Sequence, residues 1–265
     1  MNSIIPFIDI ITTCLPGKLA RKAVSAFSSL ACRTFFRKQY LHISELVNCA
    51  FKQFSQKEAK DIALASFQSQ SLSFFEFSML VSRSPGEMSS LAQNVKVEGE
   101  ANLQLAISSE RPLVVVSIHM GDCPSGFLKL ASLVPSGKKV SMIMLPRHKI
   151  KQHASFNQFR LTGLDIDALR LDDKPGIEAF KRLKAGYILF MLCDVPSALF
   201  TKTAQVNFLN NRAKFPIGPA ELALATRANI LPIVVFRNED DVNVLRIESP
   251  IDTRAFRKEG SFLNP

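Results

Sequence analysis

The stretch PLVVVSIHMGDCP, residues 112–124, decides how the chain is read. Five of the six residues between Pro112 and His119 are apolar, and Val114, Val115 and Val116 are consecutive valines. A short unbroken run of this kind, rich in β-branched side chains, predicts a strand buried on both faces. It stops abruptly at His119-Met120-Gly121-Asp122-Cys123-Pro124, where a tight turn and a helix start are expected. In an open α/β sheet the carboxyl ends of the strands are where ligands sit, and an imidazole placed there has proton chemistry near neutral pH. The plainer reading is a structural histidine bonded to backbone at a strand end.

Working outward, the chain alternates between the two periodicities. Short strands are expected at Asn94 to Glu98, Leu113 to Ile118, Lys139 to Leu145, Ile166 to Leu171, Tyr187 to Cys193, Gln205 to Leu209, Ile230 to Phe236 and Asn243 to Ile247. Helices are expected at Glu100 to Ser108, Ser125 to Leu133, Ile150 to Leu161, Gly176 to Lys184 and Gly218 to Thr226. This order predicts an α/β fold with a mixed, largely parallel sheet flanked by helices. Ahead of it, Lys18 to Lys38, Leu46 to Phe54 and Glu58 to Leu80 read as a helical N-terminal extension. Ser82 to Ser90, with Pro85-Gly86, is expected to break the last of these helices. We find no repeat, low-complexity tract or long linker, so residues 1–90 are expected to form a helical region and residues 91–265 the sheet-bearing part of one continuous domain.

Composition narrows the function classes. The chain of 265 residues is 47% hydrophobic and carries a formal charge of +10, which suits an anionic partner. Nucleic acid is disfavoured: there is no recognisable binding signature, and with two Tyr and no Trp base stacking would fall to Phe, which travels here with Leu, Ile and Val. Between Lys18 and Lys38 there are six basic residues, no acid and an interleaved apolar set. That pattern fits an interfacial helix on an anionic leaflet, with a solvated basic face as the plainer alternative. The five cysteines lack metal-ligand spacing and are odd in number, as expected of reduced thiols. No stretch reaches the roughly 18 apolar residues of a spanning helix. Ile4 to Leu15 is short, contains Asp9 and lacks a preceding basic region, which argues against a cleaved signal peptide. No metal constellation and no Gly-rich nucleotide loop is visible, so no cofactor is expected.

Several short motifs, in order, carry a resemblance. Val97-Glu-Gly-Glu-Ala-Asn-Leu, the strand to His119-Met-Gly121, Leu183-Lys-Ala-Gly186 with its strand to Asp194, Val206-Asn-Phe208, Phe215-Pro216-Ile-Gly218-Pro219-Ala220-Glu-Leu222-Ala223 and Ile230-Leu-Pro232 resemble the bacterial late acyltransferases of lipid A biosynthesis. These belong to the lysophospholipid acyltransferase superfamily, and the similarity runs from about Leu15 to Ile251. The resemblance implies an acyltransferase at the cytoplasmic face of the bacterial inner membrane, peripheral or anchored through its N-terminal region. It implies a carrier-protein thioester as donor and a hydroxyl of lipid A or a related glycolipid as acceptor. Two other readings stand: transfer of an aminoacyl group such as glycine from a carrier protein to lipid A, and a catalytically silent lipid-binding relative.

The family's catalytic pair is a histidine with a carboxylate five residues on, and here that position is Pro124. His119 is the expected general base. Asp122 is either its carboxylate partner or the N-cap of the following helix. Cys123 offers a third possibility, a covalent acyl intermediate at a helix N-terminus. Arg160 falls where the family carries an arginine, and Arg147 lies in the basic cluster Arg147-His148-Lys149-Lys151-His153. Both are candidates for holding phosphate or an acidic carrier, with solvated surface cations as the alternative. Asp194 ends a buried strand as His119 does and is a candidate for substrate binding or a simple turn aspartate. Phe215 to Pro219 opens a helix whose first amides are a candidate anion site.

Overall fold

The computed structural model describes residues 17–81, 84–144, 166–170, 175–195 and 202–256. The chain divides into two compact units, one of residues Met1–Arg83 with Gln205–Lys214, the other of Ser84–Ala204 with Phe215–Pro265.

In the first unit α1 (Gly17–Arg33) and α2 (Arg37–Ala50) both pack on the long α3 (Gln56–Val81). Ala20, Val24, Ser28 and Ala31 recur at helical spacing and are buried, and Ala20 and Val24 form a cluster with Phe75 of α3. Of the apolar set expected to meet lipid, Val24 is buried within the protein, whereas Leu19, Leu30 and Phe35 are exposed. The single helix expected over Lys18 to Lys38 is broken at Thr34–Phe36, where the Phe36 N–H donates to the Ala31 carbonyl (2.9 Å) and its ring meets Phe67 at 5.5 Å. That ring is half-buried. Leu46 to Phe54 likewise stops short, because α2 ends at Ala50 and Phe51 packs on Phe54 at 5.3 Å. Ser55 and Glu58 then bond reciprocally to open α3, two residues before the expected start. The hairpin tip also belongs to this unit. It joins β6 (Thr203–Phe208) to β7 (Asn211–Pro216) through Leu209 and Asn210, both at positive φ, and Asn210 Nδ2 donates to the Ala50 carbonyl.

α3 ends at Val81, as the break expected at Ser82 to Ser90 requires, and within that same run the second unit opens with a new helix, α4 (Pro85–Gln93). Ser84 and Glu87 form a capping box and Pro85 sits in the first turn, so Pro-Gly here begins a helix. There follow β1 (Lys96–Glu98), α5 (Glu100–Ser108), β2 (Leu113–Ser117), α6 (Cys123–Leu133), β3 (Val140–Met144) and β4 (Ile166–Arg170). Then come α7 (Pro175–Lys184), β5 (Ile188–Leu192), α8 (Gly218–Thr226), β8 (Asn229–Arg237), β9 (Asn243–Ile247) and β10 (Ile251–Asp252). The sheet runs β1-β9-β8-β2-β5-β3-β4, with β10 on β8. All its pairings are parallel except β8 with β9 and β8 with β10. This is the mixed, largely parallel α/β sheet expected. The helix expected at Ile150 to Leu161 lies outside the described residues.

β2 is central and covered on both faces, which is why its sequence is an unbroken apolar run. On one face Val114 joins Leu189, Leu169, Leu183, Leu222 and Ala223. Elsewhere in the core the Phe127 ring of α6 meets the Phe190 ring of β5 at 4.9 Å. Each fully buried side chain of this size contributes roughly 1.5–3 kcal/mol.

Candidate active site

The site is set by the register of two neighbouring strands. β2 and β5 pair in parallel from Leu113 with Ile188 to Ser117 with Leu192, so both chains leave the sheet at the same level. The Cys193 N–H still donates to the Ser117 carbonyl (2.8 Å). Two residues beyond each strand stand His119 and Asp194, opposite one another. Asp194 grips the histidine twice: Oδ2 accepts the His119 backbone N–H at 2.8 Å, and Oδ1 lies 2.8 Å from Nδ1. A carboxylate can only accept, so the second contact places a proton on Nδ1 and leaves Nε2 of the neutral ring bare. The His119 side chain is 60% exposed and that of Asp194 33%, so the ring is open to a reactant. Ile118 and Met120 on either side are exposed apolar residues.

The turn after His119 is held from beneath. Gly121 has φ +59°, and a Cβ added there would lie 2.6 Å from the Val235 carbonyl oxygen of β8. Any larger residue must move that backbone and adopt an unfavourable φ. Gly121→Ala is expected to destabilise the unit by about 1–3 kcal/mol, read as a lowered urea midpoint. An unchanged midpoint would mean that the turn yields. At Gly126, five residues further on, an added Cβ would strike the Val235 side chain, so α6 packs directly on β8.

Asp122 is the N-cap of α6. Its Oδ1 accepts the Ser125 N–H (3.2 Å) and its Oδ2 accepts from Asn243 Nδ2 (3.0 Å) on β9. Burial pushes its carboxyl above the ordinary carboxylate range, against the opposing effect of those bonds and of Arg237. Pro124, where the resemblance implies a carboxylate, sits in the first turn, where proline fits without loss of a needed N–H. Cys123 is buried, and burial, then Asp122 and Asp194, push its thiol up to about 12. That leaves almost no thiolate near neutral pH and speaks against a covalent acyl-cysteine.

Of the residues singled out from sequence, the structure brings His119 and Asp194 together and gives both oxygens of Asp122 other partners. Arg147 and Arg160, with the rest of the basic cluster around Arg147, lie outside the described residues. The first turn of α8 after Ile217 carries Glu221, which is paired with Lys202 at 3.2 Å, a poor setting for an anion. Reading Asp194 as the partner of His119 was within reach of the sequence. Both are the second residue beyond a five-residue apolar strand, but only the strand order makes them neighbours. Among the described residues no group of three or more His, Cys, Asp or Glu is placed to hold a metal ion, and no helix is long and apolar enough to cross a membrane.

No curated protein matches the chain. Its family is nevertheless plain, because a family model matches nearly the whole sequence. The chain belongs to the bacterial lipid A biosynthesis acyltransferase family, whose model matches residues 3–254.

Proposed function

We propose that the protein transfers an acyl group from a thioester on a carrier protein to a hydroxyl of a lipid A-type glycolipid, with His119 as general base and Asp194 as the carboxylate that orients it. The reading rests on the doubly bonded His119–Asp194 pair. Nε2 takes the proton of the acceptor hydroxyl as its oxygen attacks the thioester carbonyl. The ring becomes imidazolium, and Asp194 offsets that charge. Collapse of the tetrahedral intermediate breaks the C–S bond, and the Nε2 proton passes to the departing thiolate. An ester is formed, a thiol is released, and the base is regenerated.

Pro124, standing where the resemblance implies a carboxylate, would by itself favour a catalytically silent relative. The carboxylate of Asp194, two residues beyond β5, meets His119 instead and favours a working enzyme. The donor is tested by offering purified protein a fatty acyl carrier protein and a glycyl carrier protein in parallel, each thioester-labelled, with lipid A as acceptor. Label moving to lipid A from the fatty acyl carrier is the expected result. Transfer from the glycyl carrier alone would replace the donor, and transfer from neither would overturn the proposal.

A further inference from the structure

His119 and Asp194 stand beyond the carboxyl ends of β2 and β5, and a cavity of about 130 Å³ opens at the amino ends of the same two strands, beside Leu113 and Ile188. At about 3.3 Å per residue, β2 sets this cavity roughly 13 Å from the level of Ser117, so it is separate from the site of the proposed transfer. Its wall includes Glu110, Arg111, Leu113, Lys138, Lys184 and Tyr187, all in the second unit. Arg111 is already engaged. Its Nη1 lies 2.6 Å from both Asn229 Oδ1 and Asp252 Oδ1, and its Nη2 donates to the Arg227 carbonyl at 2.6 Å. The two lysines differ from it: among the described residues neither meets a carboxylate, and Lys184 Nζ has the Phe180 ring 5.8 Å away. Nor is Lys184 needed to close α7, because the N–H groups of Ala185, Gly186 and Tyr187 already bond to the carbonyls of Lys181, Leu183 and Arg182. The wall also carries one acid, Glu110, which is exposed, and two uncompensated lysines against it leave a net positive charge. The volume is close to that of a cavity accepting a benzene-sized guest, on the order of 150 Å³. It suits a small ion and is too small for a nucleotide or a glycolipid.

We propose that this cavity binds a small phosphate-type anion, free phosphate or the phosphate end of a small monoester, between the ammonium groups of Lys138 and Lys184. Both side chains are flexible point charges, able to close on an ion and to donate charge-assisted hydrogen bonds to its oxygens. Lys138 comes from the segment between α6 and β3 and Lys184 from the end of α7, so the ion ties two separate parts of the unit together and raises its stability by mass action. The inference goes beyond the proposed chemistry, and its test involves no transfer reaction, so the two fail separately.

Titration calorimetry of the full-length protein with inorganic phosphate and with glycerol 3-phosphate, at fixed ionic strength in potassium chloride, tests it. Saturable binding is expected, and the tighter of the two ligands identifies the guest as the free ion or the monoester. Lys138→Gln and Lys184→Gln should each weaken it roughly 3- to 5-fold, and Glu110→Gln should strengthen it by a similar factor. Lys181→Gln is the control, an equal change of charge on the same helix but outside the cavity, at a lysine paired with Glu178 (2.8 Å). It should leave binding unaltered, and in chloride all these variants should melt as the wild type does. Absence of saturable binding at millimolar concentrations of either ligand would overturn the proposal. Binding indifferent to Lys138 and Lys184 would place the anion elsewhere and overturn it too. Equal weakening by Lys181→Gln would do the same, reducing the effect to unspecific attraction by a chain of charge +10.

Discussion

Asp194→Asn is expected to lower acyl transfer on the order of 10³-fold while leaving the melting curve unchanged. The size of the effect follows from the two bonds that Asp194 makes. The His119 backbone N–H is an obligate donor, so an asparagine must give it the side-chain oxygen and turn its NH2 toward Nδ1. Nδ1 then has to accept, the ring proton moves to Nε2, and the nitrogen that should take the hydroxyl proton already carries one. Asp194→Asn is therefore expected to be at least as damaging as Asp194→Ala, which leaves both tautomers available. Stability should be little affected, because a pair this exposed contributes at most about 1 kcal/mol to folding. By contrast Asp122→Asn keeps an oxygen for the Ser125 N–H and should retain activity within a few-fold. The reverse order, with Asp122 critical and Asp194 dispensable, would return the carboxylate to the helix cap.

His119→Ala should show the largest loss, roughly 10³–10⁴-fold in kcat with KM nearly unchanged. The ring lies at the surface end of the sheet and carries no packing load, so its removal takes away the base and little else. What survives is the contribution of holding donor and acceptor together. Steady-state kinetics with a labelled acyl carrier separates the two parameters. A loss confined to KM would recast His119 as a binding residue.

The sheet was largely legible because its central strands are covered on both faces and write long apolar runs, as at Leu113 to Ser117 and Ile188 to Leu192. Helix ends were less legible. Ser84 to Glu87 contains a helix start that its Pro-Gly hides, and the turn at Thr34 has neither glycine nor proline to mark it, being held by backbone bonds to the Leu30 and Ala31 carbonyls. The second strand of the hairpin, Asn211–Pro216, was missed because none of its residues is fully buried and its alternation is confined to the four residues Arg212-Ala213-Lys214-Phe215. Amphipathicity in α1 was real, but the pattern cannot say whether protein or lipid covers the stripe. At the site, local sequence could only offer Asp122, three residues from His119. The partner that meets the ring is 75 residues away, and it comes into reach because β5 is laid next to β2 and in register with it.

The most direct measurement is the transfer rate, kcat/KM, of Asp194→Asn, His119→Ala and the two combined. If the imidazole and the carboxylate act as one base, each single change is costly and the double variant is no slower than His119→Ala alone. A near wild-type rate in Asp194→Asn, or losses that multiply in the double variant, would show that the two residues work apart.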